Sequence, residues 1–166
     1  EPRHLGVLAL TNFGRAGDLV LPDGRRPSPK AEAQPEKGSV ILVLATDVPM
    51  EHRQLKRVTR RCGAGLARLG AFWGHGSGDI AVGFSTAVTF DHDEERDLIE
   101  IAMLNESRID TLFRAAVEAT EEAVLNSMCM AEPMRGRAVK RHSLADWLER
   151  EKGQPQQTLD KLHIKS

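Results

Sequence analysis

Apolar runs of strand length alternate along the chain with polar stretches rich in glycine and proline. "LGVLAL" at residues 5–10 reads as the first strand. Val40 to Leu44, inside "KGSVILVLATDVP", is an unbroken aliphatic run bounded by turn residues, which predicts a central strand buried on both faces. Ile80, Val82 and Phe84 alternate in "SGDIAVGF" and predict a strand with one inward face. A short strand is expected at "LIEIAML", residues 98–104. Elsewhere the period changes to three and four residues. Leu55, Val58, Cys62, Leu66 and Leu69 mark one helical face, with Asp47 as its expected N-cap and Pro49 at an early helical position. Ile109, Leu112, Phe113, Ala116, Val117, Thr120, Val124 and Met128 mark a longer helix, expected from Ile109 to Glu132. Ser143 and Asp146 have the spacing of a capped start for "SLADWLEREK". The stretch between the first two strands carries Gly14, Gly17, Gly24, Pro22, Pro27, Pro29 and Pro35 and reads as loop, and the polar end after Gly153 reads as a tail. The resulting order of strand, loop, strand, helix, strand, strand, helix, helix predicts an α/β layered fold.

Composition narrows the class. With 166 residues, 40% hydrophobic content, 23 Lys and Arg against 24 Asp and Glu, the chain has apolar material for one domain and no dominant charge. That balance gives no support to a nucleic-acid partner or an anionic membrane surface, and no apolar run approaches membrane-spanning length. Arg53, Lys56, Arg57, Arg60 and Arg61 form a basic helix face, read as solvated because no aromatic residue interleaves with it. Cys62 and Cys129 lack ligand spacing and read as reduced thiols of a cytoplasmic protein.

The candidate chemistry reduces by elimination. "GHGSGD" is followed by a strand where a phosphate loop requires a helix N-terminus. "DHDEERD" lacks the glycine and the terminal glutamate of a calcium loop, the histidines show no metal-ligand spacing, and His75 reads as an exposed loop imidazole. What remains is Ser39 at the border between a polar loop and a buried strand, Ser77 and Asp79 on one glycine-rich turn, and Asn12 in "LTNFG". Each alone is a common boundary or turn residue. Together they supply two hydroxyls, a carboxylate and an amide donor, which is the inventory of acyl transfer.

The segments "KGSVILVLATDVPMEHRQLKRVTRRCGAGLARLG", "SGDIAVGFSTA" and "EATEEAVLNSMCMAE" resemble, in order, those of the DmpA-type self-processing aminopeptidases, the L-aminopeptidase D-amidase/esterases, with the β-peptidyl aminopeptidases as close relatives. The resemblance runs from about Leu5 to about Trp147. It implies a four-layer αββα sandwich and a precursor that cuts its own chain, here between Gly38 and Ser39, so that Ser39 becomes an N-terminal nucleophile. It also implies that residues 1–38 end the larger subunit and 39–166 form the smaller one, with a longer upstream segment completing the domain. Ser77 and Asp79 fall on the supporting serine and acid, although some relatives carry Glu in place of Asp79. Asn12 falls on the oxyanion donor. The base is either the freed amine of Ser39 or a relay through Ser77 and Asp79. Small peptides, amides or esters are the implied substrates, a homo-oligomer of processed units the implied assembly, and no cofactor or metal is implied. Two alternatives stay open: an acyltransferase of the related ornithine acetyltransferase fold, whose members typically have Thr at the junction, and a structural relative that does not cleave.

Overall fold

Three strands form one sheet in the order β1-β2-β3 in the computed structural model, which describes residues 2–27, 38–136 and 140–152. β1 (Leu5–Asn12) lies antiparallel to β2 (Gly38–Thr46), with Leu5 opposite Thr46 and Asn12 opposite Ser39. β3 (Ser77–Ser85) lies parallel to β2, with Gly38 opposite Ser77 and Thr46 opposite Ser85. A parallel neighbour requires a crossover. It is supplied by α1 (His52–Thr59) and α2 (Cys62–Arg68). A turn of 3-10 helix at Glu106–Arg108 then leads into α3 (Ile109–Cys129), which ends before the expected Glu132.

The chain divides into two compact units, Glu1–Val124 and Leu125–Ser166. In the first, the core lies on one side of the sheet. Val40, Leu42 and Leu44 are buried, as are Val58, Cys62, Leu66 and Leu69 of the crossover and Ala116, Val117 and Val124 of α3. The other side departs from expectation. Ile41 is exposed although its run predicts burial on both faces, and Ile80, Val82 and Phe84, at 55%, 52% and 47%, face outward rather than inward. Register explains why these residues share a fate: Leu10, Ile41 and Ile80 form one cross-strand row and Leu8, Val43 and Val82 the next. Among the described residues that face is open, and Leu8 and Leu10 are exposed on it as well.

Local chemistry corrects the helix starts. Asp47 does not cap α1; its carboxylate accepts the His4 backbone N–H at 2.6 Å and meets His4 Nδ1 at 2.8 Å, tying the start of β1 to the end of β2. The backbone N–H is the main reason its carboxyl sits below the ordinary value, with the imidazole adding to it. Glu51 caps instead, accepting from the N–H groups of Arg53 and Gln54, each at 2.8 Å. The basic face is not simply solvated. Arg53 and Arg57 converge on Glu106 at 2.5 and 2.6 Å, and the guanidinium groups of Arg57 and Arg61 lie 5.2 and 4.0 Å from the Phe113 ring centre. Residues 98–104 form no strand, because no described strand supplies the ladder they need. Their end is tied to the crossover instead, where Leu104 N–H donates to Pro49 O and its carbonyl accepts from Gln54 Nε2 at 2.7 Å. Cys62 is buried in the core, which pushes its thiol pKa up.

In the second unit, Met134–Arg135 (β4) and Lys140–Arg141 (β5) form a short antiparallel ladder. α4 (Leu144–Lys152) follows a capping box: Asp146 N–H donates to Ser143 Oγ at 3.0 Å and Ser143 N–H to Asp146 Oδ2 at 3.3 Å. The polar tail expected after Gly153 lies outside the described residues. Among the described residues no helix is long and apolar enough to cross a membrane.

Candidate active site

Gly38 and Ser39 open β2, at the end of the sheet where β1 finishes and β3 begins. Residues directly opposite in a ladder project to the same face, so Asn12 and Ser39 stand side by side on the open face. On the other flank Ser39 is opposite Gly78. A Cβ there would come within 3.2 Å of Ser39 Oγ, so the glycine keeps the space beside the hydroxyl clear. Ser39 Oγ itself donates to the Gly38 carbonyl oxygen at 2.7 Å. Gly38 is required for a separate reason: a side chain there would run into the Asn12 carbonyl oxygen and come within 2.9 Å of Phe13 Cα.

Ser77 and Asp79 flank Gly78 and therefore project to the opposite face from Ser39. Ser77 Oγ donates to Asp79 Oδ1 at 2.8 Å. The site thus falls into two pairs, Asn12 with Ser39 on one face and Ser77 with Asp79 on the other. They meet at the backbone, since Ser77 is the ladder partner of Gly38, at the peptide that joins Gly38 to Ser39. His75 is exposed in the preceding turn.

The loops carrying the two pairs are locked together. Val20 N–H donates to Leu69 O at 3.1 Å, and the Arg15 guanidinium, held by Asp18 at 2.6 Å, lies 5.2 Å from the Phe72 ring centre. The segment following Asn12 and the one preceding Ser77 are therefore one packed unit. Nothing in local sequence announced this, because the partners are separated by the whole crossover. Gly78 was equally silent until the register identified what it faces. Among the described residues no group of three His, Cys, Asp or Glu side chains is placed to hold a metal ion.

The model of Peptidase family S58 matches residues 2–142. Beta-peptidyl aminopeptidase BapA of Sphingosinicella microcystinivorans is 36% identical over 150 residues, covering 80% of this chain and 38% of the relative, and BapA of Sphingosinicella xenopeptidilytica is 37% identical over 151 residues, covering 80% and 37%. Among solved structures, the PH0078 protein from Pyrococcus horikoshii OT3 superposes with a TM-score of 0.76 at 43% identity, covering 92% of this chain and 44% of that one. The L-aminopeptidase D-Ala-esterase/amidase from Ochrobactrum anthropi, described as a variant of the Ntn hydrolase fold, gives 0.73 at 32% identity, covering 91% and 44%. A mixed α/β fold of the Ntn hydrolase kind, with a serine at the head of its central strand, defines the class. The chain belongs to Peptidase family S58. It spans less than half the length of these relatives.

Proposed function

We propose that this chain carries the self-cleavage junction and the nucleophile of a serine aminopeptidase or amidase that hydrolyses N-terminal amino-acid amides, esters or short peptides. The observation that carries the reading is the contact of Ser39 Oγ with the Gly38 carbonyl, 2.7 Å from its oxygen, with the Asn12 amide on the neighbouring strand of the same face.

In the precursor, Ser39 Oγ attacks the Gly38 carbonyl carbon. The C–N bond breaks, the hydroxyl proton passes to the departing Ser39 nitrogen, and water hydrolyses the resulting ester to a Gly38 carboxylate and a free N-terminal Ser39. The new amine, with an ordinary pKa of about 7.7 to 8.0, is a base close to neutrality for its own hydroxyl. The pairing of Ser77 with Gly38 across the ladder and its hydrogen bond to Asp79 support a role for Ser77 in accepting from or orienting that amine. The geometry therefore favours the amine as base. Asn12 donates to the oxyanion of the incoming substrate, the amine or alcohol leaves, and water clears the acyl-enzyme.

An upstream segment completes the fold as a four-layer αββα sandwich, its second sheet covering the open face of Leu8, Leu10, Ile41, Ile80, Val82 and Phe84. Residues 1–38 then end the larger subunit and 39–166 form the smaller, within a homo-oligomer of processed units. The relatives' names support the substrate class: beta-peptidyl aminopeptidase for two and L-aminopeptidase D-Ala-esterase/amidase for a third.

Intact-mass analysis of the full-length precursor tests the reading. The wild type is expected as two fragments, the smaller beginning at Ser39, with release of p-nitroaniline from an amino-acid p-nitroanilide. Ser39→Ala is expected as one chain with no turnover. A cut Ser39→Ala chain assigns the cleavage to another protease and overturns the proposal.

A further inference from the structure

The turn that delivers Ser77 and Asp79 begins just after Trp73, whose φ of 54° puts it alone among the described non-glycine residues in the left-handed region. Bulky side chains rarely adopt that conformation, and it persists only where surrounding contacts enforce it. The enforcing contact is on α2. A Cβ at Gly63 would collide with Cζ2 and Cη2 of the indole, so the ring rests against bare helix backbone where any other residue would displace it. Trp73 as a residue is nevertheless 53% exposed, so burial of apolar surface is not its whole contribution. It lines a cavity of about 230 Å³ together with Asp79, and with Val40 and Leu42 of β2. Immediately after it, Ser77 N–H donates to Gly74 O at 2.9 Å and closes the turn.

We propose that Trp73 is a positioning residue for the proposed hydrolase: seated on Gly63, it fixes the turn from Gly74 to Ser77 and thereby holds the Ser77–Asp79 pair at the junction. This rests on the reading of Ser77 and Asp79 given above. The indole touches no reacting atom and acts only through the turn. Its loss should therefore slow turnover without weakening substrate binding, and it should matter only while Asp79 is there to be positioned.

The experiment is a mutant cycle in the full-length precursor, with kcat expressed per processed chain as counted by mass. Trp73→Ala and Gly63→Ala are each expected to lower kcat about tenfold to a hundredfold, the scale of a small misplacement of catalytic groups, with KM changed by less than about twofold. Trp73→Phe, which keeps a flat ring for the glycine seat, is expected to recover most of the loss. In an Asp79→Asn background Trp73→Ala is expected to add nothing, because coupled residues are not additive. If Trp73→Ala melts well below wild type, Gly63→Ala is read in its place through the same cycle. Equal losses in both backgrounds, or a Trp73→Ala enzyme with wild-type kcat, overturn the proposal. An Asp79→Asn enzyme with undiminished kcat instead overturns the reading of the site on which it rests.

Discussion

Asn12 and Ser39 face each other across the end rung of an antiparallel ladder, so the residue is positioned by strand pairing. A neutral donor of this kind stabilises charge that develops only in the transition state. Asn12→Ala is therefore expected to depress kcat by about 100 to 1,000-fold with KM nearly unchanged, measured on processed protein with an amino-acid p-nitroanilide. A raised KM with kcat intact would assign the amide to ground-state binding. The place of Ser39 at the head of a strand was legible from the chain alone, because composition switches from polar loop to aliphatic strand at that residue. The division of the site into two faces was not. It depends on which residue of β3 opposes which residue of β2, and a slip of one position reverses every side chain. That register is set by packing across a crossover and leaves no local mark near Ser77.

At the scale of elements, Glu106 holds the short 3-10 turn before α3 against α1 through Arg57 and Arg53. Its carboxyl lies below the ordinary value of 4.5, chiefly through the Arg57 hydrogen bond. A depressed carboxylate contributes stability that is present above its unfolded pKa and is lost as pH falls through the lower folded value. Replacing Glu106 with Gln should thus lower the Tm modestly at neutral pH, and the difference from wild type should close as the pH is taken below 4.5. A gap that stays constant through acid titration of the two proteins would show that the pair contributes through packing alone. The helical character of the crossover was readable, since Val58, Cys62, Leu66 and Leu69 are buried as their spacing requires, but the single helix expected there is two, α1 and α2, broken at Arg60 and Arg61, and Pro49 lies ahead of the first. Their starting points were less so. Asp47 and Glu51 both suit a cap, and only the tertiary position of His4 draws Asp47 away. "LIEIAML" has strand composition, but composition cannot supply a neighbouring strand.

At the scale of the whole molecule, the open sheet face distinguishes a completed sandwich from a sheet that works uncovered. Leu10 is 68% exposed in this chain. If the upstream segment covers it, Leu10→Lys should destabilise the full precursor by about 1.5 to 3 kcal/mol, the loss of one buried leucine side chain, with a matching drop in denaturation midpoint. In the 166-residue chain expressed alone the same change should cost little and reduce self-association, read by light scattering. An unaffected precursor would remove the second sheet from the proposal. The layer order α/β was legible because apolar period reports element type. The open face was not legible from the apolar run itself, which looks the same whether its second side is covered by its own chain or left bare; only the family resemblance, with its further upstream segment, implied uncovered core faces in this chain.

The cut proposed at Gly38 also changes the molecularity of folding. β1 and β2 are joined through residues 13–37 until the peptide opens, and their eight-rung ladder from Leu5↔Thr46 to Asn12↔Ser39 forms within one chain. A covalent connection keeps the two strands at an effective concentration on the order of millimolar, whatever the protein's own dilution. Once the tether is severed, β1 and the strand it pairs with belong to different chains. Re-forming the ladder after complete unfolding is then a second-order encounter between partners at their actual concentration, in competition with pairing of the exposed strands to like copies. The proposed cut would thereby separate two roles for the same ladder: a step of folding in the precursor and a subunit interface in the cleaved protein.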